Sequence, residues 1–340
     1  MYDLMLIGPC NNKKDKTETG GIVVSFETLL GYCSDRGISV CVVDTNKRNY
    51  QNILTAFFYI FIKILFMSFN CRHLSLHGTS RDYVFIGPVV MFTSMISRRR
   101  YSLRKFAGNF NIYYESSGPA VRYVIRKLLK NSSVNFFETK YLVDFFSCYN
   151  SNTFWFPNCR NKTEIRRRNG FAKKFVFISQ LFKTKGVSEL AAASEMLPEG
   201  YTVDIYGPLK DDYTEALFCG RAVYKGSLES CDVIRTLAMY DVLVFPTYFQ
   251  GEGYPGVIIE ALSVGLPVIV TPLAGIKEMV DDSCAVFVEP KSTEQLKNAM
   301  LFFNEDNYDL YSDNALITFE KFNSVNLLSM FIEKVRCLNN

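Results

Sequence analysis

Short β-rich runs alternate with helical runs along almost the whole chain, and that alternation limits the fold more than any other feature. YDLMLIG (2–8) reads as a strand that leads into a loop. IVVSFETLLGYCSDRG then reads as a helix, with Val24, Leu29, Leu30 and Tyr32 at roughly helical spacing. Gly37 ends it, and ISVCVVD (38–44) is a second strand. CRHLSLHG (71–78) offers a third, VFIGPVVMFTSMI is mostly helix, and SLRKFAG (102–108) contains another strand. Strands joined in this way through helices form a parallel sheet covered on both faces.

The texture changes at PNCRNKTEIRRRNGFAKK (157–174), which is polar, basic and turn-rich, as a domain boundary is. A second alternating set follows. FVFISQ (175–180), YTVDIYG (201–207), VLVFP (242–246) and PVIVTP (267–272) read as strands. GVSELAAASEML (186–197), SCDVIRTLAMYD (230–241) and GVIIEALSVG (256–265) read as helices between them. The expectation is an α/β chain with two Rossmann-like domains, 1–160 and 161–315. A helical segment, 316–340, is expected to pack back on the first. The 340 residues, 48% hydrophobic and 21% charged, suffice for two cores and exclude a disordered chain. Two such domains leave a deep cleft at the carboxyl ends of their strands, where helix N-termini present unpaired N–H groups to ligands.

Charge is divided unevenly. Residues 1–160 carry 20 Lys+Arg against 10 Asp+Glu, and residues 161–340 carry 18 against 24. The basic half points to an anionic partner, either nucleic acid or an anionic membrane surface. No zinc-finger or RNP-like pattern occurs, so no nucleic-acid partner is expected. ILTAFFYIFIKILFMSF (53–69) is almost continuously apolar, but it is short and interrupted by Lys63. It reads as a buried or partly membrane-facing helix rather than a spanning one. The ten cysteines are scattered with no CxxC, as free thiols of a reducing compartment are, and MYDLMLIGP followed by NNKKDKTETG does not read as a signal peptide. A dinucleotide oxidoreductase would want GxGxxG after the first strand, where this chain has Gly8-Pro9-Cys10.

One stretch carries the chemistry. In GEGYPGVIIEALSVGLPVIVTP, Glu252 lies in a glycine- and proline-bearing loop and Glu260 on the helix that follows, read as near its start. With Ala274-Gly275-Ile276-Lys277-Glu278-Met279-Val280, Asp241-Val242-Leu243-Val244-Phe245-Pro246-Thr247, Gly20-Gly21 and Pro157-Asn158, this resembles the retaining family 4 glycosyltransferases of GT-B fold. The resemblance implies that Glu260 takes the ribose hydroxyls of a nucleotide sugar, a role that suits a carboxylate accepting two hydrogen bonds from a vicinal diol. It implies that Glu252 reaches the donor sugar, and that the loop Gly253, Tyr254, Pro255, Gly256 meets the diphosphate, with Gly256 and Val257 as N–H donors.

FVFISQLFKTKG resembles the family's strand with an arginine and a lysine five residues apart, the pair that holds the diphosphate. Lys185 matches the lysine. Gln180 stands at the arginine, and Gln cannot neutralise charge, so Lys183 is the candidate substitute. Gly20 and Gly21 would pass close to the donor phosphate or the acceptor. His77, Arg81 or Asp82 would contact the acceptor, and Phe106 and Asn109 flank a loop that faces the donor sugar in the family. No prosthetic group and no metal are expected, since Lys210-Asp211-Asp212 is not in the donor-strand context and no Cys/His cluster occurs.

The implied function is transfer of a hexosyl or N-acetylhexosaminyl group from a nucleotide sugar to a polyprenyl-diphosphate-linked oligosaccharide. O-antigen or capsule synthesis is the implied setting, peripheral at the cytoplasmic face of a bacterial plasma membrane. Parts of 53–69 or Arg98-Arg99-Arg100 are the expected attachment. An epimerase or phosphorylase of related fold, and a non-enzymatic nucleotide- or nucleic-acid-binding module, are the alternatives at this stage.

Overall fold

The computed structural model describes residues 1–12, 20–167, 170–210, 218 and 220–337. The chain folds as two units, Met1–Cys159 together with Ser324–Asn340, and Arg160–Asn323. The return to the first unit comes at Ser324, later than the expected 316, because the helix Tyr308–Phe319 belongs to the second unit.

The first unit is built on β1 (Tyr2–Gly8), β2 (Val40–Asp44), β3 (Cys71–Gly78), β4 (Arg100–Lys105), β5 (Val134–Phe137) and β6 (Thr153–Trp155). They form one parallel sheet in the order β2-β1-β3-β4-β5-β6. Its helices are α1 (Gly21–Asp35), α2 (Ile53–Met67), α3 (Ser80–Phe85), α4 (Gly87–Ser97), α5 (Phe110–Ser116), α6 (Pro119–Asn131) and α7 (Lys140–Phe146). The run LMLI in β1 shows why the sequence lacks a polar face here. Met5 and Ile7 enter a core with Leu74, Leu76, Leu103 and Phe110. Leu4 and Leu6 enter a second core with Phe26, Leu29, Phe136 and Phe156. Successive side chains of a strand point to opposite faces, so a sheet covered on both sides needs apolar residues at both parities.

The second unit repeats the plan. β7 (Lys174–Ile178), β8 (Thr202–Tyr206), β9 (Ala222–Tyr224), β10 (Val242–Phe245), β11 (Val268–Val270) and β12 (Ala285–Phe287) form a parallel sheet in the order β12-β11-β10-β7-β8-β9. Phe175 to Phe177, Val242 to Phe245 and Val268 to Val270 are buried. Its helices are α8 (Val187–Glu195), α9 (Val233–Leu237), α10 (Gly256–Val264), α11 (Ala274–Met279), α12 (Thr293–Phe302) and α13 (Tyr308–Phe319).

The last helix, α14 (Ser324–Cys337), closes the first unit. Leu328, Phe331, Ile332 and Val335 join the Leu4 and Leu6 core beside α1. At roughly 1.5–3 kcal/mol per fully buried apolar side chain, this one helix contributes on the order of the net stability of a domain.

In each sheet the chain reverses its winding direction at one place. In the first unit this lies at β1 and β3, and in the second at β7 and β10. Loops leaving the carboxyl ends of such strand pairs part to opposite sides and leave a crevice where ligands bind in open α/β sheets.

Candidate functional site

In the second unit that crevice is framed by the segment after β7 and the segment after β10, and ten of the residues singled out from the sequence lie on these segments and on α10. After β7, Gln180 and Lys183 are exposed and Lys185 is buried at the end of a single 3-10 turn, Lys183–Lys185. Gly186 follows at φ +73° and is the cap residue before α8. A side chain there is barred twice, by the left-handed backbone and because a Cβ would come within 2.3 Å of the Pro246 carbonyl oxygen. The two loops therefore touch backbone to backbone.

That approach brings Lys185 to Glu252. The Lys185 Nζ donates to Glu252 Oε1, and Thr247 Oγ1 lies 3.3 Å from the same oxygen. Each side chain of the pair is only 11% exposed. Rings of Phe182, Phe245 and Phe249 surround the ammonium at 5.4, 5.3 and 5.4 Å from their centroids. Their negative faces add to the attraction of the carboxylate and hold the cation in an apolar collar. A desolvated cation of this kind interacts with a bound anion far more strongly than one in water.

The loop from Glu252 to α10 is pinned on its other side. Gly253 and Pro255 are buried. The Tyr254 hydroxyl donates to Glu278 Oε2 of α11 at 2.6 Å. A Cβ on Gly275 would lie 2.4 Å from the Gly253 carbonyl oxygen, so α11 approaches the loop as only glycine permits. Pro255 occupies the cap position of α10 without a side-chain cap, and Gly256 and Val257 open the helix. Their N–H groups have no partner within the helix, and its positive dipole end points the same way.

Glu260 is the fifth residue of α10, in its second turn rather than at its start. The helix dipole contributes little at that depth. Its charge is met instead by Arg160, whose Nε donates to Glu260 Oε1 at 2.6 Å, with the two side chains 9% and 16% exposed. Arg160 is held by its own backbone, which bonds to the Phe322 carbonyl and bridges Asn323. Its guanidinium crosses the first residue of α10, and a Cβ on Gly256 would lie 2.0 Å from Nη2. Gly256 thus has a packing reason as well as the expected role of its N–H. Sequence reasoning passed over Arg160, because it opens a basic linker and nothing local links it to a glutamate on α10.

The residues expected in the first unit are placed less uniformly. Gly20 and Gly21 stand where α1 begins after β1, exposed, with nothing within 4 Å of a Cβ at either. The preceding segment 13–19 lies outside the described residues, as do Asp211 and Asp212. His77 needs correction. It is wholly buried, between the rings of Phe26, Phe106 and Phe331, with Nε2 2.9 Å from Ser75 Oγ and Nδ1 unpartnered. Burial first, and then the Arg104 charge, push its pKa well below the ordinary 6.5. It is a core histidine here, out of reach of an acceptor at the surface. Phe106 is likewise core, under the Arg104 guanidinium at 4.6 Å. Asp82 caps α3, with Oδ2 accepting from the Thr79 amide and hydroxyl at 2.8 Å each. Asn109 caps α5 with its backbone and is partly exposed, and Arg81 is exposed.

Glu229, Cys231 and Asp232 form the only cluster among the described residues that could ligate a metal, and all three are exposed.

Residues 172–306 match the family model described as Glycosyl transferases group 1. Over 154 residues, 44% of this chain, the sequence is 30% identical to TuaC of Bacillus subtilis (strain 168), described as a teichuronic acid biosynthesis glycosyltransferase. Over 162 residues, 41% of this chain, it is 30% identical to the lipopolysaccharide glucosyltransferase WaaG of Escherichia coli (strain K12). These matches span 38% and 40% of those relatives' lengths. Among solved structures, Anabaena Alr3699/HepE in complex with UDP superposes with a TM-score of 0.76 at 15% identity, covering 99% of this chain and 100% of that one. The chain therefore has the GT-B fold of two Rossmann-like units, and the stretch similar to the group 1 glycosyl transferases lies within its second unit.

Proposed function

We propose that the protein is a retaining glycosyltransferase that moves a sugar from a nucleoside-diphosphate sugar to a growing, lipid-linked oligosaccharide in bacterial polysaccharide synthesis. The observation that carries this reading is the gathering of Lys185, Glu252, Glu260 and the open start of α10 around one crevice, inside the segment matched to the family. Each group suits one part of such a donor. The Glu260 carboxylate accepts from the ribose diol while Arg160 holds it in place. The Gly256 and Val257 N–H groups and the Lys185 ammonium face the diphosphate.

These donors are fixed before the donor arrives, so they stabilise the negative charge that grows on the leaving diphosphate as the glycosidic bond breaks. Gln180 brings no charge to that task, and Arg160 supplies the second cation beside the helix start. Glu252 lies at the sugar end, and Lys185 passes between it and the phosphate. The acceptor hydroxyl attacks on the face that the diphosphate leaves, which keeps the anomeric configuration. On this reading the acceptor is linked to polyprenyl diphosphate, the product belongs to an O-antigen or capsule, and the protein rests on the inner face of the plasma membrane.

The test is product release from a panel of UDP-, GDP- and dTDP-sugars, with and without a lipid-linked acceptor, in wild type and Glu260→Ala. Turnover of one donor that disappears in the variant supports the reading. A product of inverted anomeric configuration, or neither binding nor turnover across the panel, overturns it.

A further inference from the structure

At the opposite end of the first sheet, the amino-terminal edge, lies a cavity of about 510 Å³ lined by Arg98, Arg99 and Arg100 with Met95, Asn131 and Asn152. Its position follows from topology. Arg100 begins β4, Asn152 immediately precedes β6, and Asn131 ends α6. The three arginines splay around a tight corner, because Arg98 takes a left-handed conformation, φ 54°, that turns the end of α4 straight into β4.

The wall opposite the arginines is fixed and neutral. The Asn152 amide donates to the Ser133 carbonyl, Asn131 to the Lys127 carbonyl, and the Ser133 hydroxyl to the Tyr101 carbonyl. Among the described residues, no carboxylate lines the cavity. None of the three arginines forms an ion pair among the described residues, and the Nε of Arg99 is buried without a hydrogen-bond partner. Three adjacent guanidinium groups repel one another, and a buried unpaired donor costs about 1–3 kcal/mol. The repulsion falls when an anion with several oxygens enters, since guanidinium forks match phosphate geometry.

Met95, which lines the cavity, belongs to an apolar face of α4 that says where that anion comes from. Phe92, Met95 and Ile96 lie at i, i+3 and i+4 on α4 and are exposed, Met95 by 72%. On α2, which packs against α4, Ala56, Ile60 and Ile64 face the core while Leu54, Phe57, Phe58 and Phe66 are exposed. Among the described residues, Ile53–Asn70 is the one helical segment long and apolar enough to cross a membrane, yet α2 packs part of itself into the unit. Apolar helix faces beside unpaired cations are the composition of a surface that lies in the membrane interface.

We infer that the Arg98–Arg100 cavity seats the phosphate headgroup of an anionic membrane phospholipid while α4 and α2 lay their exposed faces among the acyl chains. This extends the membrane side of the proposed function, and it does not depend on sugar transfer.

Vesicle flotation tests it, using phosphatidylcholine alone and phosphatidylcholine mixed with phosphatidylglycerol, with nucleotide binding by each variant measured in parallel. The wild type is expected on the phosphatidylglycerol vesicles. R98Q/R100Q should bind them about thirtyfold more weakly, from about fivefold per basic residue at the surface. R98K/R100K keeps the charge and loses the fork, and should fall about threefold. K47Q/K140Q removes two exposed cations at the carboxyl-end loops of the same sheet and should bind as wild type. Equal losses in R98Q/R100Q and K47Q/K140Q would reduce the effect to diffuse charge and overturn the site. Release of the protein from vesicles by equimolar inorganic phosphate would make it a soluble-anion site and overturn the lipid assignment. Unchanged nucleotide binding in R98Q/R100Q shows that a flotation loss is not unfolding, and loss of nucleotide binding in the wild type would count against the transferase reading alone.

Discussion

Gly256→Ala should destabilise the second unit, and the cost should vanish when Arg160 is removed. The added methyl would stand 2.0 Å from Arg160 Nη2 and 3.0 Å from Cζ, whereas ordinary contact begins near 3.4 Å. The guanidinium must therefore retreat by about 1.5 Å, by the size of that shortfall. Its bond to Glu260 is 2.6 Å long at the start and does not survive such a shift. Exposed ion pairs are worth at most about 1 kcal/mol, and breaking a fully buried one costs about 3–5 kcal/mol. With side chains 9% and 16% exposed, this pair lies between, near about 2 kcal/mol. In an Arg160→Ala background the methyl meets no guanidinium, and replacing a helical glycine by alanine gains up to about 1 kcal/mol. The cycle should show a coupling of about 2–3 kcal/mol. Trp155, the single tryptophan, belongs to the first unit and is blind to this change. Hydrogen exchange of the α10 amides in increasing urea reads it directly. An equal cost of Gly256→Ala in both backgrounds would refute the argument that Arg160 is what makes this position a glycine.

Other consequences can be checked more simply. Lys185→Ala should weaken binding of the nucleoside diphosphate by about tenfold to a hundredfold, the worth of one charged hydrogen bond, as measured by calorimetric titration. Phe331→Ala should cost about 3–5 kcal/mol in urea unfolding followed by Trp155 fluorescence, because the ring is fully buried against Phe136, Phe156 and His77. His77 has its folded pKa depressed, so its stability contribution is present above about 6.5 and is lost as pH falls below that value, where the unfolded chain takes up the proton first. A His77→Gln variant should lose that part of the pH dependence below about pH 6.5. A slope in the variant as steep as in the wild type would show that the histidine is not the group responsible.

The parts of the fold legible in the sequence were those whose physics is local. The apolar run of β1 admits one explanation, a strand buried on both faces, and the loop before α10 announces itself through glycine and proline. Other parts were not written locally. β6 and β12 have three residues each, too few to show any periodicity, and β5, α5 to α7, β9, α11 and α12 passed unread. His77 ends a strand, where side chains often meet solvent. Its burial takes Phe26 and Phe106 together with Phe331, which arrives from the far end of the chain. Glu260 shows the same limit in the site. Its position on a helix was readable, but its neutralisation by an arginine from a linker was not, since that contact depends on the Arg160–Asn323 bridge.

The place of α14 has a consequence for the order of assembly. Everything from Arg160 to Asn323 is one uninterrupted stretch, so the second unit has all its parts as soon as it leaves the ribosome. The first unit, though it begins earlier, lacks the helix that covers Leu4, Leu6 and Phe136 until residues 324–337 have been made. Nascent chains usually complete their domains from the amino end. Here the later unit can close first, while one face of the earlier sheet waits open for its cover. A circular permutant that begins at Ser324 and joins α14 ahead of β1 would restore the usual sequence of events and shorten that exposed interval.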